Sequence, residues 1–324
     1  MRVLVDTNVW RYASDADASA RLLASVRRRG NQIVVAPSVA YESLRIPNDD
    51  TRLRVMGLVT HRAWKRLMPE AYSECQELLQ EIRRLRPEWL RKRPNFSELR
   101  RLRYDWLRKD GGFWTRARTG PHKEFAAIKK LGDEDLELAR TESYRIREKL
   151  AANELRAGEH THLSQLYGVL PSDAVGWNGE PVEYWRLPAL TNTQDVLQKY
   201  AHPYREWLDG EVDVTAMLSD LGSFNKFWLY EVTAINLPRF WLRAAFEFLQ
   251  AWRRVTDGTP CDTQLATYLI EADVVVSGDK NFVHFTKRCR SEGPIRIAEA
   301  YLVAGGDRGV KELFEFLERD RPTC

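Results

Sequence analysis

Arg2-Val3-Leu4-Val5-Asp6-Thr7-Asn8-Val9-Trp10 is the stretch that decides the fold of this chain. A short apolar run, too short for a helix, ends on a carboxylate, an alcohol and an amide. This pattern predicts a buried strand that stops before Asp6, with a helix directly after it. Ligands of open α/β sheets bind beyond the carboxyl ends of the strands, so Asp6 stands where chemistry is expected. The alternative is that Asp6 or Asn8 only caps the following helix. Other carboxylates must decide between the two.

The composition is that of a folded chain with a substantial core. Of its 324 residues, 44% are hydrophobic and 30% are charged, which allows one large domain or two. The four cysteines are widely spread and show no zinc-ligand spacing, which favours a reducing compartment. No apolar run reaches the roughly 18 residues of a membrane span, and the first apolar run is too short for a signal peptide. We therefore expect a cytoplasmic protein.

Charge is divided unevenly along the chain. Residues 61–130 hold 19 Lys and Arg against 9 Asp and Glu, whereas residues 131–234 hold 9 against 18. The first segment is therefore strongly basic and the second strongly acidic, although the whole chain has a net charge of only +4. Eight of the eleven tryptophans lie between residues 50 and 235, so this middle region has the means to build a core of its own.

A second strand and helix follow the first pair. Residues 33–36 form a short apolar run, and Pro37 and Ser38 then open a helix with Ser38 as its expected N-cap. Counted from that cap, Glu42 falls at the end of the first helical turn. Its carboxylate either complements the helix dipole or points across the carboxyl edge of the sheet toward Asp6.

The last ninety residues return to the same alternation of helices and strands. A helix beginning at Thr259 places Asp262 in its first turn, and the buried strand 274–277 ends just before Asp279. The remaining elements expected there are a helix from Pro238, a short helix over 281–288, a last strand over 295–297 and a terminal helix over 307–317.

Four acids thus share one edge of the predicted sheet: Asp6, Glu42, Asp262 and Asp279. Clustered carboxylates repel one another and need a compensating positive charge. Hard oxygen ligands of this kind suit Mg²⁺ or Mn²⁺, and two such ions can activate water for displacement at phosphorus. Each acid alone is explained as a cap or a surface charge, but the joint pattern predicts a metal site.

At these residues the chain resembles the PIN-domain family of metal-dependent nucleases, which includes toxin–antitoxin ribonucleases. The matching pieces, in order, are 5–8 (Val-Asp-Thr-Asn), 38–42 (Ser-Val-Ala-Tyr-Glu), 262–266 (Asp-Thr-Gln-Leu-Ala) and 275–282 (Val-Val-Ser-Gly-Asp-Lys-Asn-Phe). The resemblance implies a three-layer α/β/α fold with a parallel sheet, built from residues 1–60 and 235–324. Residues 61–234 would then be a mostly helical insertion for which the family supplies no role.

The resemblance also implies an activity and its machinery. The acids Asp6, Glu42, Asp262 and Asp279 would bind Mg²⁺ or Mn²⁺ and catalyse hydrolysis of RNA phosphodiester bonds. It further suggests a toxin or defence role in the cytoplasm, an inhibitory protein partner and a homodimer.

Three polar residues are expected to support the acids. Asn8 and Ser277 would orient them, by the same resemblance. Asn281 stands where many relatives carry a further aspartate, so one metal ligand, or one group that supports a ligand, is neutral here, which would weaken a second metal site. Two alternatives stay open: a DNA nuclease, and a catalytically silent module that binds RNA or protein through the insertion.

A basic arm over residues 83–109 interleaves cationic and aromatic side chains. This combination suits single-stranded nucleic acid, with phosphates neutralised and bases stacked. The alternative is that the cations pair with the acidic segment 131–234 while the aromatic side chains belong to the core. The residues expected to bind nucleic acid are Arg91, Lys92, Arg93, Arg100, Arg101 and Arg103.

Overall fold

A five-stranded parallel sheet organises the computed structural model, which describes residues 1–108, 110–152 and 158–319. The strands of the chain are β1 (Arg2–Val5), β2 (Gln32–Val35), β3 (Lys65–Arg66), β4 (Tyr167–Gly168), β5 (Val182–Glu183), β6 (Val274–Ser277) and β7 (Glu299–Leu302). The large sheet has the order β3-β2-β1-β6-β7, and β4 pairs with β5 in a separate antiparallel hairpin. The chain is therefore α/β, and its arrangement is compatible with a three-layer α/β/α fold.

Helices make up most of the remaining chain. They are α1 (Thr7–Asp15), α2 (Ser19–Arg28), α3 (Pro37–Leu44), α4 (Asp49–Val59), α5 (Glu70–Leu85), α6 (Phe96–Leu107), α7 (Phe113–Thr119), α8 (Pro121–Ala152), α9 (Arg186–Gln198), α10 (Pro203–Leu208), α11 (Val214–Ser219), α12 (Leu221–Lys226), α13 (Pro238–Ala251), α14 (Thr259–Ala266), α15 (Lys280–Glu292) and α16 (Gly306–Glu318). Within the described ranges, no helix is both long and apolar enough to cross a membrane.

The central strand β1 explains why the first residues decide the fold. Val3, Leu4 and Val5 are completely or almost completely buried, as expected of a parallel strand covered on both faces. Val3 pairs with Val274 on β6 on one side and with Ile33 on β2 on the other. Because β1, β2 and β6 run in the same direction, their carboxyl ends meet at a single edge of the sheet.

The strands correct the sequence analysis at two places. The last strand is β7, so the prediction over 295–297 is wrong; Ile297 and Ala298 are buried, but the backbone of Ala298 bonds to Leu269 instead of joining the ladder. The fifth strand, β3, is the dipeptide Lys65-Arg66, which lies within the range assigned to the insertion. Two charged residues give no apolar pattern, and this is why β3 was not anticipated.

The beginning of α3 differs from the expectation as well. Its N-cap is Ala36, which offers no side-chain cap, so the prediction of Ser38 as N-cap is wrong. Pro37 begins the helix because its fixed φ angle suits the first helical position. Glu42 consequently lies in the second turn of α3, and Ser38 lies one turn before it on the same helical face.

The insertion is part of the same core as the large sheet. Buried apolar residues of both regions form one contiguous cluster. The long helix α8 packs against α3 and α14, the two helices that carry Glu42 and Asp262. A buried polar interface joins α5 to α13, where Arg243 donates to Glu74 over 2.8 Å and Tyr204 also donates to Glu74.

Candidate active site

Asp6 lies at the carboxyl end of β1 and is only 4% exposed. It is the N-cap of α1: its Oδ1 accepts a hydrogen bond of 2.6 Å from the backbone N–H of Thr7. Its Oδ2 accepts from Asn8 Nδ2 at 2.8 Å and from Ser277 Oγ at 2.5 Å. Burial outweighs these bonds and raises the pKa of Asp6 to about 6, with the charge of Asp279 adding to the rise.

Asp279 follows β6, the neighbour of β1, and caps α15. Its Oδ1 accepts from the backbone N–H groups of Asn281 and Phe282, at 2.6 and 3.1 Å. Ser277 is fully buried and joins the two acids, because its hydroxyl donates to Asp6 and accepts from the backbone N–H of Asp279 at 2.9 Å. The ends of β1 and β6 are therefore held together by one serine.

Asn8 forms a second bridge between the same two strand ends. Its amide nitrogen donates to Asp6, and its Oδ1 accepts from the backbone N–H of Gly278 at 2.9 Å. A side chain at position 278 would meet Asn8 Oδ1 and the ring of Tyr12 at 3.2 to 3.3 Å, so glycine permits this close approach. Asn8 and Ser277 thus both donate to the same carboxylate oxygen of Asp6.

Glu42 is half-buried on α3 and lies close enough to Asp6 and Asp279 for their charges to act on it. Burial, followed by the charge of Asp6, raises its pKa to about 7; Asp279 acts in the same direction. The charge of Arg45, three residues along the helix, opposes the rise. A carboxyl group with this pKa is only partly ionised at neutral pH.

Asp262 reaches the same location from the first turn of α14. Burial raises its pKa well above the ordinary value, and the charges of Asp6, Glu42 and Asp279 raise it further. The charges of the four acids therefore interact at this edge of the sheet. No described lysine or arginine lies within salt-bridge distance of any of them.

The four acids do not surround a single point as the structure stands. Among the described residues, no group of three or more His, Cys, Asp or Glu side chains is placed to hold one metal ion. The structure thus brings the predicted carboxyl groups to one edge, at distances where their charges interact, without closing a ligand set. Asp273 directly precedes β6, at the opposite edge of the sheet, and pairs there with Arg2.

Sequence reasoning missed two polar side chains beside the acids. The hydroxyl of Ser38 is buried and has no hydrogen-bond partner among the described residues, on the same helical face as Glu42. Arg45 follows Glu42 by three residues, a spacing that places both on neighbouring positions of the helix surface. Ser38 and Arg45 could have been found from sequence by their spacing of four and three residues from Glu42, but not from their residue types.

Asn281 contacts the acids through its backbone, whereas Asn8 and Ser277 contact them through their side chains. Its backbone N–H donates to Asp279, and the residue is exposed on the first turn of α15. Asn281 therefore contributes a backbone contact to the site and no described hydrogen bond from its side chain.

The cations of the basic arm fall into two groups, of which the first is paired. Arg91 pairs with Asp209, through Nη2 to Oδ1 at 2.5 Å and Nε to the backbone oxygen. Arg83 and Arg86 pair with Glu211 and Glu231. These acids belong to the segment 131–234, so for these three arginines pairing with the acidic segment is the observed arrangement, and the prediction of Arg91 as a nucleic-acid contact is not supported by its environment.

The five other cations expected to bind nucleic acid remain at the surface. Lys92, Arg93 and Arg100 are exposed and form no ion pair with a described residue. Arg101 pairs with Glu98 on its own helix, and Arg103 lies 5.5 Å from the ring centroid of Tyr72. Lys109 lies outside the described residues.

The aromatic residues of the arm and of the next helix, α7, are divided in the same way. Trp89, Phe113 and Trp114 are buried, whereas Phe96 and Tyr104 are 46% and 63% exposed. Trp106 packs on Phe113 and also contacts Tyr41, the neighbour of Glu42 on α3. Helix α6 is thereby fixed beside the helix that carries one of the four acids.

Comparison of the chain with protein-family models, with curated proteins and with solved structures finds no match. The site must therefore be interpreted from its own chemistry.

Proposed function

We propose that this chain is a PIN-like, divalent-metal-dependent endoribonuclease. The observation that carries the proposal is the meeting of Asp6, Glu42, Asp262 and Asp279 at the carboxyl edge of a parallel sheet, with no described lysine or arginine within salt-bridge distance of any of them. Keeping such a cluster costs stability, because burial and mutual repulsion raise each pKa that is shifted. A cost of this kind is typical of a functional site rather than of helix capping alone.

The donor chemistry fits Mg²⁺ or Mn²⁺. Carboxylate oxygens are the ligands these ions prefer, and four acids without a described ion pair supply the negative charge that favours them. The unpartnered hydroxyl of Ser38 adds a buried oxygen without an assigned bond. The residues that would hold the ion are the four acids. When bound, the ion would activate water and stabilise the negative charge that develops at phosphorus.

The remaining residues of the site position the acids. Ser277 and Asn8 each fix Asp6 Oδ2, which restricts the carboxylate to one orientation. The helix N-terminal N–H groups fix one oxygen of Asp279 and leave its other oxygen available. An orientation set by neighbours reduces the reorganisation needed when a cation or substrate arrives.

A second candidate is a catalytically silent module that binds RNA. The observation that favours it is that no described set of three ligands is placed around one point. The exposed cations and aromatic residues of α6 and its preceding loop would then supply the binding without cleavage.

An assay of cleavage and metal binding with matched variants tests the proposal. Asp6→Asn and Asp262→Asn should abolish Mn²⁺-dependent cleavage of a single-stranded RNA oligonucleotide. They should also reduce the rise in melting temperature that Mn²⁺ gives the wild-type protein, because each removes a ligand charge. Asp273→Asn makes the same chemical change at the opposite sheet edge and should alter neither quantity.

The outcomes separate the alternatives. Cleavage that survives in Asp6→Asn and Asp262→Asn would place the activity elsewhere and overturn the proposal. RNA binding by the wild type without cleavage or thermal stabilisation in Mn²⁺ would support the silent module. A DNA oligonucleotide of the same sequence, assayed beside the RNA, reports whether the sugar is discriminated.

A further inference from the structure

Arg45 connects the two helices that carry Glu42 and Asp262. It lies at the C-terminal end of α3, and its Nη1 donates to the backbone oxygen of Asp257 at 3.3 Å and to Cys261 Sγ at 3.7 Å. Cys261 directly precedes Asp262 in α14. The guanidinium therefore reaches across the rim of the carboxylate cluster from one acid-bearing helix to the other.

The insertion also lies against this guanidinium. Gly132 lies within the long helix α8, and a Cβ at that position would be 2.6 Å from both Cζ and Nε of Arg45. Glycine is unfavourable inside helices, and its φ angle here needs no special freedom. The space that the missing Cβ leaves is occupied by Arg45, so the helix approaches the guanidinium more closely than any other residue would allow.

Arg45 has N–H groups that form no described hydrogen bond. Only Nη1 of Arg45 is used in described hydrogen bonds, and no described carboxylate lies within salt-bridge distance of it. A guanidinium presents several N–H donors in a planar fork that matches phosphate oxygens. Beside four acids that repel a phosphodiester, a fixed cation of this shape is the group that would draw one in.

We propose that Arg45 is the subsite for a non-bridging phosphate oxygen of the RNA chain at the rim of the carboxylate cluster, and that Gly132 of the insertion sets its position. This inference rests on the proposed function, since it assigns part of the substrate to that site. It also gives the insertion a role: α8 determines where the substrate-binding cation stands.

Binding measured without turnover tests the subsite directly. Fluorescence anisotropy of a labelled single-stranded RNA oligonucleotide is recorded in EDTA at several KCl concentrations, with melting temperatures for every variant. Arg45→Ala should weaken binding by about tenfold or more and reduce the slope of log K against log salt by about 0.7. Arg45→Lys should retain the slope and recover part of the affinity, because it keeps the charge but loses the fork.

Gly132→Ala separates a binding role from a structural one. Its methyl group displaces the flexible end of Arg45 rather than backbone, so affinity should fall toward that of Arg45→Ala while the melting temperature does not decrease. Gly57→Ala is the matched control, because Gly57 also lies within a helix, α4, and a Cβ there meets nothing within 4 Å. Its RNA affinity should equal that of the wild type.

Two results would overturn the subsite. If the wild type binds or cleaves RNA and both Arg45→Ala and Gly132→Ala match it in affinity and salt slope, Arg45 is not the phosphate contact although the proposed function stands. If the wild type neither binds nor cleaves RNA, the proposed function fails and the subsite with it. Binding that depends on Arg45, without cleavage in Mn²⁺, would support the subsite and refute the nuclease.

Discussion

At the scale of single residues, the buried acids make stability depend on pH in a definite direction. Unfolded carboxyl groups lose their protons at about pH 4, whereas folded Asp6 and Glu42 keep theirs to about pH 6 and 7. The folded state therefore binds more protons between these values. The contribution of this site to stability is present below about pH 4 and is lost as pH rises through the folded pKa values.

Glu42→Gln should remove part of the stability loss that the wild-type protein shows as the pH rises. We expect its free energy of unfolding to exceed that of the wild type by about 1 to 3 kcal/mol at pH 8, with no gain at pH 4. Urea denaturation of the metal-free protein across this range measures the difference. Glu299→Gln, at an exposed position of β7, serves as the control. Parallel pH curves for Glu42→Gln and the wild type would contradict the electrostatic account.

Ser277→Ala should damage the site in two ways. It removes the hydroxyl that donates to Asp6 and leaves the backbone N–H of Asp279 without its partner. The expected loss of stability is about 1 to 3 kcal/mol, because buried polar groups become unsatisfied. Since the Ser277 bond lowers the pKa of Asp6, that pKa should also rise, which carboxyl NMR titration can measure. A stable variant with an unchanged Asp6 pKa would refute this role.

At the scale of elements, the basic arm separates into anchored and free cations. Replacement of Lys92, Arg93 and Arg100 by Ala should lower the salt slope of RNA binding by roughly 2 in total, at about 0.7 for each phosphate contact, with the melting temperature unchanged. Arg91→Ala should lower the melting temperature and leave the salt slope unchanged, because Arg91 pairs with Asp209. Anisotropy titrations and thermal melts of the two variants give both quantities.

The opposite pattern would reject this division of the arm. A salt slope that falls in Arg91→Ala, or a triple variant that melts at a lower temperature with its slope intact, would show that the exposed cations support the fold. Glu98 gives a further check, because it pairs with Arg101 on the same helix and its removal should free one more cation.

The elements of the sheet show what sequence patterns can and cannot establish. Strand β6 was predicted at 274–277 and is found there, because a short unbroken apolar run between polar ends is typical of a parallel strand buried on both faces. The run around 295–303 is apolar throughout most of its length, so the pattern could not decide which part pairs with β6. Strand β3 consists of two charged residues and depends on its neighbour β2 alone, a tertiary effect that local sequence does not contain.

The sequence indicates the acids of the site but not the environment of the basic arm. The four acids were found from sequence because each follows a strand end or lies near the start of a helix. The residues that pair with the basic arm could not be identified from sequence, because composition does not reveal which side of a helix faces the core. Trp89, Phe113 and Trp114 became core residues, and Arg91 found an acid more than a hundred positions along the chain.

At the scale of the whole molecule, the insertion and the sheet share one hydrophobic cluster and a buried polar interface. Glu74 is fully buried, and Arg243 and Tyr204 both donate to it. Arg243→Leu leaves that carboxyl group without its cation and should cost about 3 to 5 kcal/mol. Because the regions share a core, tryptophan fluorescence and far-UV circular dichroism should still report one coincident unfolding transition.

Separate transitions for the two probes would show that the insertion unfolds on its own. Most of the tryptophans lie between residues 50 and 235, so fluorescence reports mainly on the insertion, whereas circular dichroism reports on every helix. Arg253→Leu is a suitable control, since it also breaks an ion pair, with Glu159, but at a partly exposed position.

The position of β1 in the middle of the sheet has a consequence during synthesis. One neighbour, β2, follows it closely, but the other, β6, begins only at Val274. At about 5 to 20 residues per second, the ribosome needs roughly 13 to 54 s to reach that strand. Throughout this time β1, an apolar strand that is buried in the folded protein, has no hydrogen-bonding partner on the side where β6 will pair. The insertion or a chaperone must shield that side, because β2 covers only the other one, and newly made copies on one messenger RNA whose β1 is unshielded are exposed to strand exchange with each other.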